Sequence, residues 1–317
     1  EETRVTLFGH AVAEPLYTAP SAGSRGFESE YCIDLYTALT NAGFEINDTL
    51  YQAYASSETK RGNGARDHQK QVDNEWLMGE EDISFYTDAL RQSWENDYND
   101  AAIVMFAREG GEGSELYMED PAEGISQLAL HRQEKDLLQM IKDSGKFEKV
   151  IVLVNSGWAM ELGWLDEYDV DACLWIGAPG QRGFEGVANI LTGKANPSGH
   201  LTDTYAVNSV SAPATVNSGY NNQNWTNLEE VLELSTEGDA DVSWYTAQVE
   251  GIYIGYKYYE TRYEDSVLGQ GNANSSKGSS TGKAWNYADE VSYPFGFGLS
   301  YTSFEQTLDD VEINGDD

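Results

Sequence analysis

Two stretches, Ala101 to Ala107 (AAIVMFA) and Lys149 to Asn155 (KVIVLVN), limit the fold more than any other feature of this chain. A strand with one wet face alternates apolar and polar residues, whereas a near-continuous apolar run suits a strand covered on both faces, as in a parallel sheet. Parallel neighbours need a crossover between them, and Leu128 to Ile141 has the apolar spacing of a helix placed to make it. Val5 to Gly9 and Ala172 to Ile176 (ACLWI) read as two more strands. Glu30 to Ala42 reads as a helix stopped at Gly43, and a further helix begins after Gly180 and runs through Val187, Ile190 and Leu191 to Gly193. The alternation predicts an α/β fold: a doubly wound, mostly parallel sheet sandwiched by helices. From about Ser209 the texture turns to Asn, Ser, Tyr and Gly, predicting long loops over the body, with Gly269 to Lys283 a flexible low-complexity segment.

With 317 residues, 40% of them apolar, the chain can bury a substantial core. Its 19 Lys and Arg stand against 54 Asp and Glu, a net charge of -35 that repels phosphate backbones and anionic bilayers, so neither nucleic acid nor membrane is an expected partner. No apolar run reaches the roughly 18 residues of a membrane span, and the start Glu1-Glu-Thr-Arg4 has no leader character. Cys32 and Cys173 are too few for a disulfide framework and are expected as buried thiols.

The segment carrying chemistry is Phe106-Ala-Arg-Glu-Gly-Gly-Glu-Gly-Ser-Glu-Leu116, directly after the second apolar strand. Ligands of open α/β sheets bind outside the carboxyl ends of the strands, where this loop must lie. Glu112 stands between two glycines that let the backbone turn sharply and approach a ligand. Its carboxyl can act as a general acid where surroundings raise its pKa, or it can be one residue of an acidic turn; the spacing alone permits both. Arg108 and Glu109 flank the loop, and either could orient the carboxylate or simply cap the strand end; Arg108 is the better candidate for orienting it, as a nearby cation tunes a carboxyl's pKa.

Competing signals fail on particular residues. The dinucleotide pattern G-x-G-x-x-G would need Gly at 116, which is Leu, and Gly278 to Lys283 is one residue short of a phosphate loop. Gly278-Ser-Ser-Thr-Gly282 spells a nucleophile elbow with no strand before it. The four histidines, His10, His68, His131 and His200, have no metal-cage spacing, so neither a metal nor a cofactor is expected. His10 could line a cleft at the end of the first strand or simply pack; Trp225, Trp244 and Trp285 could wall a ligand site or be buried.

Several segments, in order, resemble the second, α/β domain of family 3 glycoside hydrolases of the β-glucosidase type. They are Gly111-Glu-Gly-Ser-Glu115, Lys149 to Trp158 (KVIVLVNSGW), Asp171 to Gln181, Gly186 to Leu201 with its Asn196-Pro-Ser-Gly-His-Leu ending, Gly251 to Glu260, and Tyr293 to Phe304. His200 stands where that family usually has Arg. The resemblance implies a retaining, two-carboxylate mechanism in which Glu112 is the general acid/base and Arg108 and Ser114 are candidates for substrate binding. It implies a β-linked oligosaccharide or glycoside as substrate, and a nucleophilic Asp on a TIM-like barrel domain that this chain does not contain, so the chain alone should be inactive. Residues 1–301 are then the acid/base domain and 302–317 a linker or the start of a fibronectin-like module. The early start of the domain fits family members with reversed domain order or a trimmed chain, and the acidic end, Asp309 to Asp317, has the look of a cut inside a longer protein. A non-catalytic carbohydrate-binding or interaction domain of the same fold is the alternative.

Overall fold

A computed structural model of the protein describes residues 3–18, 28–59, 79–109, 116–119, 123–217, 226–234, 245–269 and 275–312. Glu112, Ser114, His68, Trp225 and Trp244 lie outside the described residues. Five strands, β1 (Arg4–Phe8), β2 (Glu45–Ile46), β3 (Ala101–Arg108), β4 (Val150–Ser156) and β5 (Ala172–Trp175), form a parallel sheet in the order β2-β1-β3-β4-β5. All eight residues of β3 are buried. That is the condition its unbroken apolar run demands, since a central parallel strand meets helices above and below.

Helices α1 (Leu35–Ala42), α2 (Asp48–Ala55), α3 (Asp88–Glu95), α4 (Arg132–Ser144) and α5 (Gly183–Leu191) provide those layers. Their starts are chemically marked. Asp34, Asn47 and Thr87 each accept a hydrogen bond from a first-turn N–H of α1, α2 and α3 respectively, satisfying one of the donors a helix start leaves open. Phe8 is wedged edge-on between Trp94 of α3 and Phe147, with ring centroids 5.2 and 5.5 Å away. The sheet and its helix layers thus share one continuous core.

Strand order fixes where a ligand can enter. β1 connects outward to β2 and the chain then returns to place β3 on the other side of β1, so the connections diverge between β1 and β3. The carboxyl edge there is the crevice in which doubly wound folds bind ligands. Gly9 ends β1 with φ 89°, and a Cβ at that position would overlap the carbonyl oxygen of Met105 on β3; only glycine lets the two strands stay this close.

The later third is more ordered than its composition predicts. Tyr256–Leu268 forms a helix, α8 in chain order after two short ones at Pro213–Val216 (α6) and Leu228–Glu233 (α7). The segment read as a flexible loop is anchored in its described part: Ser280 N–H donates to both oxygens of Glu290, at 2.8 and 2.9 Å, and the Arg262 guanidinium donates to the carbonyls of Lys277 and Ser275. Two-residue β6 (Tyr205–Ala206) pairs antiparallel with β7 (Val291–Tyr293) in a second sheet. Beside it, the segments 196–201 and 295–302 interlock. Leu201 N–H donates to Phe297 O and Gly296 N–H to Leu201 O, both at 2.8 Å, while His200 Nδ1 lies 2.8 Å from Gly296 O. Asn196 Nδ2 donates to the hydroxyls of Ser300 and Thr302. Residues 302–312 run exposed without a regular element. Cys32 and Cys173 are free thiols of intermediate exposure rather than fully buried, and burial raises the pKa of Cys173 to about 12.

Asn155, at the end of β4, is fully buried and explains a polar letter in an apolar run. Its Oδ1 accepts Leu16 N–H at 2.7 Å, and its Nδ2 donates to Leu16 O at 2.9 Å and Gly177 O at 2.6 Å, tying the segments after β1 and β5 to β4. Replacing it by Ala leaves those main-chain groups buried without partners, and Asn155→Ala is expected to lower stability by about 1–3 kcal/mol. A urea unfolding midpoint that does not move would contradict this role.

Candidate active site

The loop expected to carry the chemistry is rooted at Arg108 and Glu109, at the carboxyl end of β3 and beside the crevice. Arg108 is fully buried, and its five N–H donors have five acceptors. Nη1 and Nη2 each reach one oxygen of Glu134 at 2.7 Å. Nη1 also donates to Ala107 O at 3.0 Å, Nη2 to Ala129 O at 2.8 Å, and Nε to Gln127 O. No donor is left for a sugar hydroxyl. The geometry therefore gives Arg108 a different task from the substrate contact expected of it: the guanidinium holds the root of the loop against the chain that returns from it. Gln127 continues the clasp, since its N–H donates to Tyr117 O at 2.9 Å and its Oε1 accepts Tyr117 N–H at 2.7 Å. Glu134 also accepts His131 N–H at 2.9 Å, so one carboxylate neutralises Arg108 and caps α4.

Across the crevice, at the end of β1, lies a cluster that sequence reading missed. Glu80 and Glu81 are both buried although adjacent in sequence. Glu80 Oε2 accepts His10 N–H at 3.0 Å and its Oε1 accepts Glu81 N–H at 2.9 Å, with Tyr86 Oη 3.5 Å away. Tyr86 and Tyr54 hydroxyls are 2.7 Å apart, and Tyr54 accepts Gly9 N–H at 3.0 Å. Burial pushes the Glu80 carboxyl up to about 8; the two main-chain N–H groups oppose the rise, and the charges of Glu134 and Glu81 add to it. Glu81 goes the other way. Burial pushes it upward too, but hydrogen bonds from His10, Ser57 and Thr59 outweigh that and leave it lowered. His10 is 2% exposed, with Nδ1 3.2 Å from Glu81 and Nε2 3.4 Å from Glu14, so it binds this cluster together instead of facing a cleft. No sequence signal marked the pair, because Gly79-Glu-Glu-Asp82 is one more acidic run in a strongly acidic chain.

Of the three tryptophans considered for a sugar wall, Trp285 is buried, with the Arg262 guanidinium 4.7 Å from its ring centroid. Two others stand exposed at the carboxyl edge, Trp158 and Trp175, by 38% and 42%. Among the described residues no group of three or more His, Cys, Asp or Glu is arranged to hold a metal ion, and no helix is long and apolar enough to cross a membrane. A cleft of about 350 Å³ between Asn208, Ser211, Asn217 and Ser280 lies in the later loops and has no titratable lining residue.

A model of the "Glycosyl hydrolase family 3 C-terminal domain" matches residues 1–301. Beta-glucosidase A of Butyrivibrio fibrisolvens is 28% identical over 323 residues, covering 95% of this chain and 32% of that protein. A beta-glucosidase of Schizophyllum commune is 36% identical over 118 residues, covering 37% of this chain and 60% of its own length. Beta-glucosidase 3B from Thermotoga neapolitana, solved in complex with glucose, superposes with a TM-score of 0.62 at 23% identity, over 96% of this chain and 35% of that one, a likeness of fold. The chain thus spans about a third of the length of the Butyrivibrio protein.

Two outcomes follow from the strand-edge geometry. Removing one partner of the Arg108–Glu134 pair strands a buried charge, so Arg108→Met or Glu134→Leu should each cost about 3–5 kcal/mol in chemical denaturation. The Glu80 carboxyl has a folded pKa of about 8 against 4.5 for the free group, so the folded state holds the extra proton between those values and loses stability as pH rises through them. Glu80→Gln removes that slope. Its stability relative to wild type should improve from about pH 5 to about pH 8 and level off above that, and a constant difference across that range would show that Glu80 is ionised throughout.

Proposed function

Because the chain belongs to the glycosyl hydrolase family 3 C-terminal domain family, we propose that it supplies Glu112 as general acid/base to a retaining β-glycosidase acting on terminal β-D-glucosyl or related residues. In the first step Glu112 would protonate the glycosidic oxygen as the leaving group departs; in the second it would take a proton from the water that hydrolyses the glycosyl-enzyme. The observation that carries this reading is the place where the Glu112 loop is rooted. It leaves from Glu109, immediately after a strand end that borders the switch point and whose last side chain, Arg108, is held from five directions.

The nucleophile in this proposal is an Asp on a TIM-like barrel domain of the native protein, brought within about 5–5.5 Å of Glu112, the separation that retention requires. Residues 1–301 are proposed as the acid/base domain and 302–317 as a linker or the start of a fibronectin-like module. Ser114, two residues beyond Glu112, is proposed as a sugar contact, with Arg108 positioning the loop. The chain alone would not hydrolyse glycosides, because one carboxylate cannot both protonate the leaving group and trap the sugar.

The test is hydrolysis of β-glucosides by the full-length native protein, wild type against Glu112→Ala. Loss of an acid/base is expected to cost about 10²- to 10⁴-fold on substrates with poor leaving groups. On an activated aryl glucoside, which departs without protonation, added azide should restore turnover by attacking the glycosyl-enzyme in place of the activated water. Unchanged kinetics would remove Glu112 from the mechanism and leave a sugar-binding or structural partner of the barrel.

A further inference from the structure

We propose that the cleft of about 350 Å³ in the later loops is a second, non-catalytic binding site, and that its ligand is a neutral sugar. Its size falls within the roughly 300–1,000 Å³ of small-ligand sites. No titratable residue lines it among the described ones, so it can bind but has no group for acid or base work. The inference is independent of the role given to Glu112.

Both walls are fixed before a ligand arrives. On one side Asn208 closes the turn after β6: its Oδ1 accepts Val210 N–H at 2.9 Å and its carbonyl accepts Ser211 N–H at 3.0 Å. Ser211 Oγ in turn lies 2.9 Å from the hydroxyl of buried Tyr259. The short helix α6 continues this wall, and Asn217 ends it, with Nδ2 donating to Pro213 O at 2.8 Å. On the other side Ser280 hangs from the Glu290 carboxylate, and the Arg262 guanidinium holds the carbonyls of Ser275 and Lys277. Gly278, with φ 66°, lies where the walls meet. A Cβ there would overlap the Tyr258 hydroxyl and sit 3.0 Å from Ser211 O, so glycine sets the spacing.

What the walls leave uncommitted sets the chemistry of the ligand. Asn208 Oδ1 and Asn217 Nδ2 are each spent on the main chain, which defines the other end of each amide. Asn208 therefore offers N–H donors and Asn217 an oxygen acceptor, neither with a partner among the described residues. Val210, Pro213 and Val216 add an apolar strip. A wholly apolar ligand would take water from both amides and give no hydrogen bond in return. A phosphorylated or carboxylated one would meet no cation in the lining, because the nearby Arg262 is engaged by carbonyls, and would approach the Glu290 carboxylate behind Ser280. A neutral pyranose has what remains: a face of C–H groups for the strip, and adjacent hydroxyls that both donate and accept.

The test is ligand-observed NMR titration of the full-length native protein with D-glucose and with glucose 6-phosphate, together with crystals soaked in D-glucose. Asn208→Asp keeps the oxygen that accepts Val210 N–H but turns the free donor into an acceptor. Val216→Trp fills the cleft from a position already 42% exposed. Thermal unfolding confirms that each variant is folded. Wild type should show glucose density in the cleft and a binding component that Asn208→Asp weakens about threefold to tenfold and Val216→Trp abolishes. Glucose 6-phosphate should lack that component. Glucose held at the strand-edge crevice would respond to neither substitution, which separates the two sites. The proposal is overturned by a titration that neither substitution changes, by equal binding of the phosphorylated sugar, by binding at crystal concentration only, or by a cleft that another part of the full-length chain fills.

Discussion

A guanidinium taken out of water at the end of a buried central strand must find five acceptors, and much of the surrounding chain is arranged by that need. Arg108 obtains two from Glu134, which brings the start of α4 to the strand end, and three from main-chain carbonyls, two of which fix residues 127–129. A buried charge pair adds little net stability over an apolar equivalent, but it penalises every arrangement that leaves one partner alone. That penalty gives a glycine-rich loop a fixed root without requiring the loop to pack. The same carboxylate reaches across the crevice electrostatically: the charge of Glu134 contributes to the raised pKa of Glu80 at the end of β1. The two banks of the crevice also meet directly, in the close approach of Gly9 to β3.

The parts of the fold that were legible in the sequence are those where burial forces a pattern. β3 and β4 declare themselves because both faces are covered, and α1, α4 and α5 because each has a single apolar stripe. β2 and β6 have two residues each and carry no period at all. Helix α8 has no legible apolar stripe, because Tyr, Lys and Glu crowd it and the residues it buries, Tyr259 and Arg262, include a charged one. Trp285 illustrates the converse limit, since a tryptophan in a polar segment looks available until a neighbouring arginine covers it. Glu80 and His10 lie seventy positions apart, and only the tertiary fold brings a main-chain N–H to that carboxylate.

The segments that carry the family resemblance do two kinds of work. Asn155 and Ser156 brace neighbouring strand ends, and the Asn196 to Leu201 segment is bound by the Phe295 to Thr302 segment. His200 shows how the second pair tolerates change: what its position supplies is a contact to Gly296 O, which a ring nitrogen makes as an arginine N–H could. The family is therefore recognised mainly by its joints, while the proposed chemistry sits on a few residues between glycines.

Those joints also differ in how far along the chain they reach. The hydrogen bonds between the 196–201 and 295–302 segments span sequence separations of 96 to 106 residues, whereas β3, β4 and β5 need only a helix or a short connection between them. As the chain emerges from the ribosome, all five strands of the large sheet are available before the second half of the latch exists. The sheet can form without waiting for the Tyr293 to Thr302 segment, which pairs with Tyr205 and bonds Leu201. A nascent chain that stalls before this segment would carry a finished nucleus with an unsealed flank, the form that chaperones and proteases meet first.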